Sequence, residues 1–174
     1  MKVAKRTEEV QLALKKAKEA SYETIYILSR AAEYRDEDTG SHLLRVSHYA
    51  AAIARKISNS EEYCKTILYG APLHDVGKIG IPDSILMKPG KFLPEEFEIM
   101  KGHVKIGGLI LAGSKSELIK MGEEIALSHH EKWDGSGYPN ELKASEIPLS
   151  GRIIAAADVF DALTTRRPYK EPFS

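Results

Sequence analysis

Histidine and aspartate residues recur at the ends of apolar, helix-forming segments, and this arrangement constrains the fold more than any other feature of the sequence. In chain order the candidates are Asp38, His42, His74, Asp75, His103, His129, His130 and Asp158. Buried carboxylates and imidazoles need partners, because an unpaired buried charge is strongly unfavourable. Divalent metals of borderline hardness, such as iron, manganese or zinc, bind both types of side chain. The set therefore predicts a domain that gathers these residues around two or three metal ions.

Two adjacent pairs, His74-Asp75 and His129-His130, are the strongest part of this pattern. Neighbouring residues at a helix end point about 100° apart, so one can bind a single ion while the other bridges two. Asp158 lies in an apolar segment, residues 153–160, which we interpret as a helix that is nearly hydrophobic all round. A carboxylate in such a helix predicts a cation partner. His48 has no acidic neighbour, and we interpret it as an ordinary core or surface residue.

Composition limits the classes of partner. At 174 residues the chain is long enough for one domain with a core, but not for two. Basic and acidic residues balance at 25 each, so we predict no polymeric nucleic-acid partner. The single cysteine, Cys64, excludes a thiolate zinc site or an iron–sulfur cluster built by one chain. No apolar run, residues 153–157 included, is long enough to cross a bilayer, and no signal peptide is evident. We therefore expect a cytoplasmic protein that does not bind membranes.

Residue periodicity predicts an all-α helical bundle, because no segment shows sustained strand alternation. Residues 2–34 lack glycine and proline and are rich in strong helix formers. We interpret residues 1–33 as an N-terminal linker or dimerising helix and residues 34–174 as the domain. An apolar face that appears only after Ser21 suggests that the helix packs on the domain from there. A single amphipathic core helix is an equally good interpretation.

Helix signals further along the chain place the candidate ligands. A helix is predicted from about Ser41, followed by one capped at Asn59 or Ser60 that ends near His74-Asp75. Residues 76–93 are predicted to form a loop. The next helix begins at Pro94, with His103 near its end before Gly107-Gly108. Two more are predicted over about 116–132 and 148–164.

Two motifs resemble those of a known family. Residues 74–78, His-Asp-Val-Gly-Lys, resemble the HD motif of the HD metallohydrolase superfamily. Residues 129–139, His-His-Glu-Lys-Trp-Asp-Gly-Ser-Gly-Tyr-Pro, resemble the signature of its HD-GYP subfamily. The similarity continues in residues 79–86, 158–164 and 167–170 and covers about residues 33 to 174. The combination of both motifs is highly specific, whereas a short HD dipeptide alone is not.

The resemblance implies hydrolysis of cyclic di-GMP, a bacterial second messenger, to linear pGpG, GMP or both. It implies two or three bound metals, iron or manganese before others, with Asp75 as the bridging ligand. The matching metal ligands are His42, His74, Asp75, His103, His129, His130 and Asp158. Asp38 matches a position where an acidic residue accompanies a third metal. Lys78 matches a lysine that contacts the substrate phosphate, and Tyr138, Arg167 and Lys170 match positions that line the nucleotide site.

The chemistry of a phosphodiester suits these residues independently of the resemblance. Two ions about 3.5–4 Å apart can lower the pKa of a bridging water, so that hydroxide rather than a side chain is the nucleophile. Lys78 can add positive charge beside the phosphate oxygens as the transition state forms. Asp75 and Lys78 are therefore the catalytic candidates. The glycines at 135 and 137 predict a loop through which backbone can approach a ligand, or simply a turn that stops a helix.

Three alternatives stay open at this point. They are a hydrolase of another cyclic dinucleotide, an HD-type di-iron oxygenase, and a non-catalytic signalling module. Lys78 and the cationic residues Arg166, Arg167 and Lys170 favour an anionic substrate, and none of the ligands is lost. The N-terminal helix resembles the linkers that join such domains to an upstream receiver or sensor domain, as in two-component systems. Its weak heptad pattern predicts a homodimer through this helix. Similar domains continue beyond Ser174, which raises the hypothesis that this sequence is part of a longer regulator.

Overall fold

The computed structural model describes residues 2–35 and 41–165, and these segments are helical with no strand, which confirms the all-α fold. The helices are α1 (Lys2–Glu33), α2 (Ser41–Ile57), α3 (Glu61–Gly70), α4 (Asp83–Leu86), α5 (Pro94–Leu111), α6 (Glu117–Ser128) and α7 (Leu149–Thr164). Short 3-10 turns at Ala71–Leu73, Val76–Gly80 and Ala144–Glu146 connect some of them. The predicted site residues Asp38, Arg167 and Lys170 lie outside the described residues. Within those residues no helix combines the length and apolar character that crossing a membrane requires.

Helix α1 changes its surroundings along its length. Residues 2–21 are exposed, whereas beyond them one face of the helix is partly or fully buried, comprising Tyr22, Ile25, Tyr26, Ser29, Ala32 and Glu33. Tyr22 stacks on Tyr69 of α3, with the ring centroids 3.8 Å apart. Packing on the domain thus begins where the apolar face after Ser21 begins in the sequence. The division into a linker of residues 1–33 and a domain of residues 34–174 stays a prediction.

The main core lies between α2, α3, α6 and α7. Val46, Ile67, Ile125 and Ile154 meet there and are fully buried. Ser60 caps α3 as predicted, because its hydroxyl accepts a hydrogen bond of 3.2 Å from the Tyr63 N–H. This core holds the ends of the four helices in fixed positions, and His42, His74, Asp75, His129 and His130 lie at or near those ends.

The glycines of α5 have a different role from the one predicted. The helix continues through Gly107 and Gly108 to Leu111, so His103 lies in its interior rather than near its end. A side chain at Gly77 would clash with the backbone of His103 and Gly107. The absence of a Cβ therefore lets the HD turn contact α5 backbone to backbone. This close contact brings His103 next to the HD motif.

Two other boundaries also differ from the predictions. Residues 76–93 were expected to form a loop but contain a 3-10 turn and the short helix α4. Helix α6 ends at Ser128 rather than near Lys132. His129 and His130 consequently follow the helix, where the chain turns and both rings can face the same side of the bundle.

Candidate metal centre

The structure gathers six of the predicted ligands and one residue that was not predicted, Glu33, into two groups. The Asp75 group consists of Asp75, His103, His129 and His130. The Glu33 group consists of Glu33, His42 and His74. In each group the potential ligand atoms all lie within 4.8 Å of one another. The two groups adjoin at His74-Asp75.

Asp75 lies at the centre, between two 3-10 turns. Its Oδ1 is 3.2 Å from Nε2 of His103 and 3.4 Å from Nε2 of His129. Its Oδ2 is 3.3 Å from Nε2 of His74 and 2.9 Å from Nζ of Lys78. Burial opposes ionisation of Asp75, but the positive charges of Lys78 and His74 keep its pKa well below the usual range. Asp75 is therefore a carboxylate that faces both groups, as a bridging ligand must.

Three of the histidine rings are oriented by backbone carbonyls. Nδ1 of His74 donates to the carbonyl of Ala71 (2.9 Å), and Nδ1 of His103 donates to that of Met100 (2.7 Å). Nδ1 of His129 donates to the carbonyls of Ile125 and Ala126 (3.1 Å each). A carbonyl oxygen only accepts, so Nδ1 carries the hydrogen in each ring. The Nε2 atoms then point at the cluster, which is the arrangement found around protein metal sites.

His42 is oriented by a side chain instead. Its Nδ1 donates to Oδ2 of Asp161 at 2.8 Å, and Arg45 Nε donates to Oδ1 of the same carboxylate at 2.6 Å. Burial opposes the charge of Asp161, but these hydrogen bonds from Arg45 and His42 lower its pKa. Asp161 was noted in the sequence only as part of a family motif. Its role is to orient a candidate ligand.

The sequence predicted that Asp158 is buried, but the buried acidic residue of α7 is Asp161. Helix α7 was expected to be hydrophobic all round, yet Val159 and Phe160 are exposed, and the Asp158 side chain is 28% exposed. Asp161, one turn further, is fully buried. Asp158 Oδ1 nevertheless lies 3.5 Å from Nε2 of His42, at the edge of the Glu33 group. Asp158 remains a candidate ligand, but not for the reason of burial.

Glu33 was missed from the sequence. It is the last residue of α1 and is 3% exposed. Burial raises the pKa of its carboxyl group. The available signal was periodicity: the half-buried and buried positions of α1, from residue 22 to residue 33, recur at three- and four-residue steps. Glu33 falls on this inward stripe, where an acidic residue is unusual.

Several polar atoms at the centre lack hydrogen-bond partners among the described residues. They are Nε2 of His74, His103 and His129, Oδ1 of Asp75, and both carboxylate oxygens of Glu33, all buried. The Nε2 atoms of His74, His103 and His129 lie 3.2–3.4 Å from Asp75 but do not form hydrogen bonds with it. Native proteins leave few buried polar atoms unsatisfied, so a cluster of them requires an explanation. The atoms are all potential metal donors, and the set fits divalent transition metals.

Protonation in the cluster is uneven. Burial and the neighbouring His129 lower the pKa of His130 to about 2, so this ring is neutral and keeps a lone pair for a metal. Burial opposes charge on His74 as well, but the adjacent Asp75 outweighs it and raises the pKa of His74 to about 10. A metal and a proton therefore compete for this ring.

Lys78 and Tyr138, the described candidates for substrate contact, adjoin the Asp75 group. Lys78 reaches Asp75 from the 3-10 turn that follows the HD motif. Tyr138 stacks on His130, with centroids 4.7 Å apart and an interplanar angle of 27°. Burial raises the pKa of Tyr138, so its hydroxyl stays neutral.

The loop that carries Tyr138 is closed on itself. A side chain at Gly137 would clash with the backbone of Lys132 and Glu131. Glu131 is buried and accepts hydrogen bonds from the backbone N–H groups of Asn140 (2.8 Å) and Leu142 (3.0 Å). Gly137 thus permits contact within the loop, in keeping with the turn that the sequence offered as one interpretation. Approach of a ligand to this backbone stays a prediction.

The family model of the HD domain matches residues 26–174. The chain belongs to the HD domain family. The resemblance drawn from the two motifs is thereby confirmed.

Relatives of this HD domain carry the names of cyclic dinucleotide enzymes. It is 55% identical over 151 residues to a cyclic di-GMP phosphodiesterase of Thermotoga maritima, covering 87% of the chain and 41% of that relative. It is 49% identical over 162 residues to the cyclic di-GMP phosphodiesterase response regulator RpfG of Xanthomonas campestris, covering 93% of the chain and 43% of the relative. A 3′3′-cGAMP-specific phosphodiesterase 2 of Vibrio cholerae is 50% identical over 157 residues, covering 90% of the chain and 30% of that relative. The HD domain spans less than half the length of each.

Proposed function

We propose that this HD domain is a metal-dependent phosphodiesterase that hydrolyses cyclic di-GMP to linear pGpG, GMP or both. The observation that carries the proposal is the convergence of three buried Nε2 atoms on the Asp75 carboxylate, with Lys78 beside it. That arrangement combines metal donors with a cation suited to a phosphate. The names of relatives from Thermotoga and Xanthomonas support the substrate class.

Two or three divalent metals, iron or manganese before others, are part of this proposal. The Asp75 group would hold one, and His42, His74 and Asp158 would hold another, with Asp75 shared between them. Asp38, outside the described residues, is the predicted ligand of a third. When bound, such metals lower the pKa of a water molecule and neutralise charge on phosphate oxygens.

The side chains of the chain have distinct parts in this function. Asp75 is a buried carboxylate that lies between His74 of one group and His103 and His129 of the other, so it would serve both as a shared ligand. Lys78 would donate to a non-bridging phosphate oxygen, because its Nζ already lies 2.9 Å from Asp75 at the edge of the cluster. Tyr138 would present its ring to the nucleotide. Arg167 and Lys170 are proposed as further contacts to the anionic substrate.

A second candidate function is hydrolysis of 3′3′-cGAMP. It is favoured by the Vibrio relative, which is as similar to this chain as the Xanthomonas one. The ligands determine phosphodiester chemistry but not the base. Lys78 at the cluster argues against a di-iron oxygenase acting on a neutral substrate, and retention of the ligands argues against a non-catalytic module.

Substrate turnover with metal analysis tests these possibilities together. The protein is purified anaerobically, its iron and manganese are quantified, and cyclic di-GMP, 3′3′-cGAMP and linear pGpG are each supplied. We expect at least two metal equivalents and hydrolysis of cyclic di-GMP that a chelator abolishes. Hydrolysis of 3′3′-cGAMP alone would support the second candidate. A folded protein that holds at most one equivalent after reconstitution would contradict the multinuclear site.

We also propose a cytoplasmic setting, a receiver or sensor domain as partner, and a homodimer through α1. Val10 and Leu14 are large apolar side chains on the exposed part of this helix. Sedimentation of the wild type and of a Val10→Glu, Leu14→Glu variant tests the dimer. We expect the variant to shift to monomer, and a monomeric wild type would contradict the proposal.

A further inference from the structure

We propose that Glu33 is itself a metal ligand and completes a position formed with His42 and His74. This inference rests on the proposed metal-dependent function and extends it to a residue outside the set that the motifs predicted. The Glu33 carboxylate and the rings of His42 and His74 offer potential ligand atoms that all lie within 4.8 Å of one another.

The state of the Glu33 side chain is the first argument. The residue is almost completely buried, and neither carboxylate oxygen has a hydrogen-bond partner among the described residues. A buried carboxylate without partners is strongly unfavourable unless a cation or a set of donors satisfies it. Two other buried acids, Glu131 and Asp161, differ in this respect, since both accept hydrogen bonds through both oxygens.

The second argument is that the chain holds Glu33 in this position. Arg35, two residues further, donates from Nη1 to the carbonyl of Ile79 (3.0 Å) and from Nη2 to that of Ile81 (3.2 Å). The same guanidinium pairs with Asp83. These contacts fasten the end of α1 to the segment after the HD motif. A carboxylate held in place beside two imidazoles is a preorganised donor, because no chain ordering is needed when a metal binds.

The third argument is the orientation of the two rings. Nδ1 of His42 donates to Asp161, and Nδ1 of His74 donates to the Ala71 carbonyl. Each ring therefore has Nε2 as its metal-binding atom. Two imidazole nitrogens and one carboxylate oxygen form a donor set that suits Fe(II) and leaves positions for further ligands.

Metal titration of three variants tests the inference. Glu33→Gln keeps the shape but removes the charge, and Glu33→Asp keeps the charge but withdraws it by one methylene. Glu131→Gln is the matched control, because Glu131 is equally buried but has its oxygens satisfied within the loop. Bound metal is removed from each full-length variant, and its helix content is checked by circular dichroism. Each is then titrated with Mn(II) by equilibrium dialysis and elemental analysis. Melting with and without chelator gives a second readout.

We expect Glu33→Gln to lose roughly tenfold or more in affinity for one metal equivalent, while the others stay bound. Its chelator-free melting temperature should also respond less to added metal than that of the control. Glu33→Asp should bind the same metal equivalent more weakly. If Glu33→Gln does not fold, the Mn(II) affinity of Glu33→Asp tests the inference instead. Wild-type binding curves for a folded Glu33 variant would overturn the inference without touching the proposed function. A wild type that binds no metal would instead overturn both.

Discussion

The two ligand groups differ in what orients them. In the Asp75 group, His103 and His129 donate to carbonyls of their own helical turns, so their orientation follows from local backbone structure. In the Glu33 group, His74 also donates to a local carbonyl, but His42 depends on Asp161 from α7, and Glu33 lies at the end of α1. The orientation of His103 and His129 is therefore independent of neighbouring side chains, whereas the positions of His42 and Glu33 depend on tertiary contacts between distant segments.

The largest expected effect concerns the residue that the groups share. Asp75→Ala removes the carboxylate that faces His74, His103 and His129, so both groups should lose metal affinity and turnover should fall to background. Elemental analysis and a hydrolysis assay on the folded variant measure this. If Asp75→Ala kept its metals in one group, that group would be shown to form without the shared carboxylate.

Lys78→Ala should have the next largest effect. The variant should keep its metals and still bind the dinucleotide, but lose roughly 10²–10³ in turnover, the scale for deleting one electrostatic donor. Turnover is measured alongside substrate binding and metal content. Full metal content with unimpaired hydrolysis would refute the role assigned to Lys78 and would leave the comparison between the groups intact.

The same difference explains what the sequence could predict. Asp75, His129 and His130 were predictable because they lie in two local motifs, each with an apolar helix before it, whereas His103 lies in neither motif. Asp161 could not be separated from Asp158, because the exposed side of α7 is itself apolar and composition gives no orientation. Glu33 was one of many acidic residues in α1, and only its place on the inward stripe distinguishes it. The sequence predicts a helix end at the α5 glycines, because their packing partner, Gly77, is distant in sequence.

Asp161→Asn tests the dependence of the Glu33 group on a side chain. The substitution removes the charge that holds His42 and Arg45, while the shape is kept. Loss of such a supporting partner typically lowers metal affinity about 10–100-fold. We expect this loss for one equivalent in a Mn(II) titration, with the equivalent of the Asp75 group unchanged. An equal loss from both equivalents would contradict the independence of the groups.

Met100→Ala is the complementary substitution and should have the smallest effect on the metals. Met100 provides the carbonyl that accepts from His103, and this acceptor survives any change of the side chain. The half-buried side chain packs on Ile81, Ile85 and Leu86, so its removal should lower the free energy of unfolding by about 1–2 kcal/mol, less than for a fully buried methionine. Denaturant unfolding of the metal-free protein measures the loss, and the Mn(II) titration should match the wild type. Weaker metal binding by a folded Met100→Ala would show that side-chain packing also orients His103, and the contrast between the two groups would then fail.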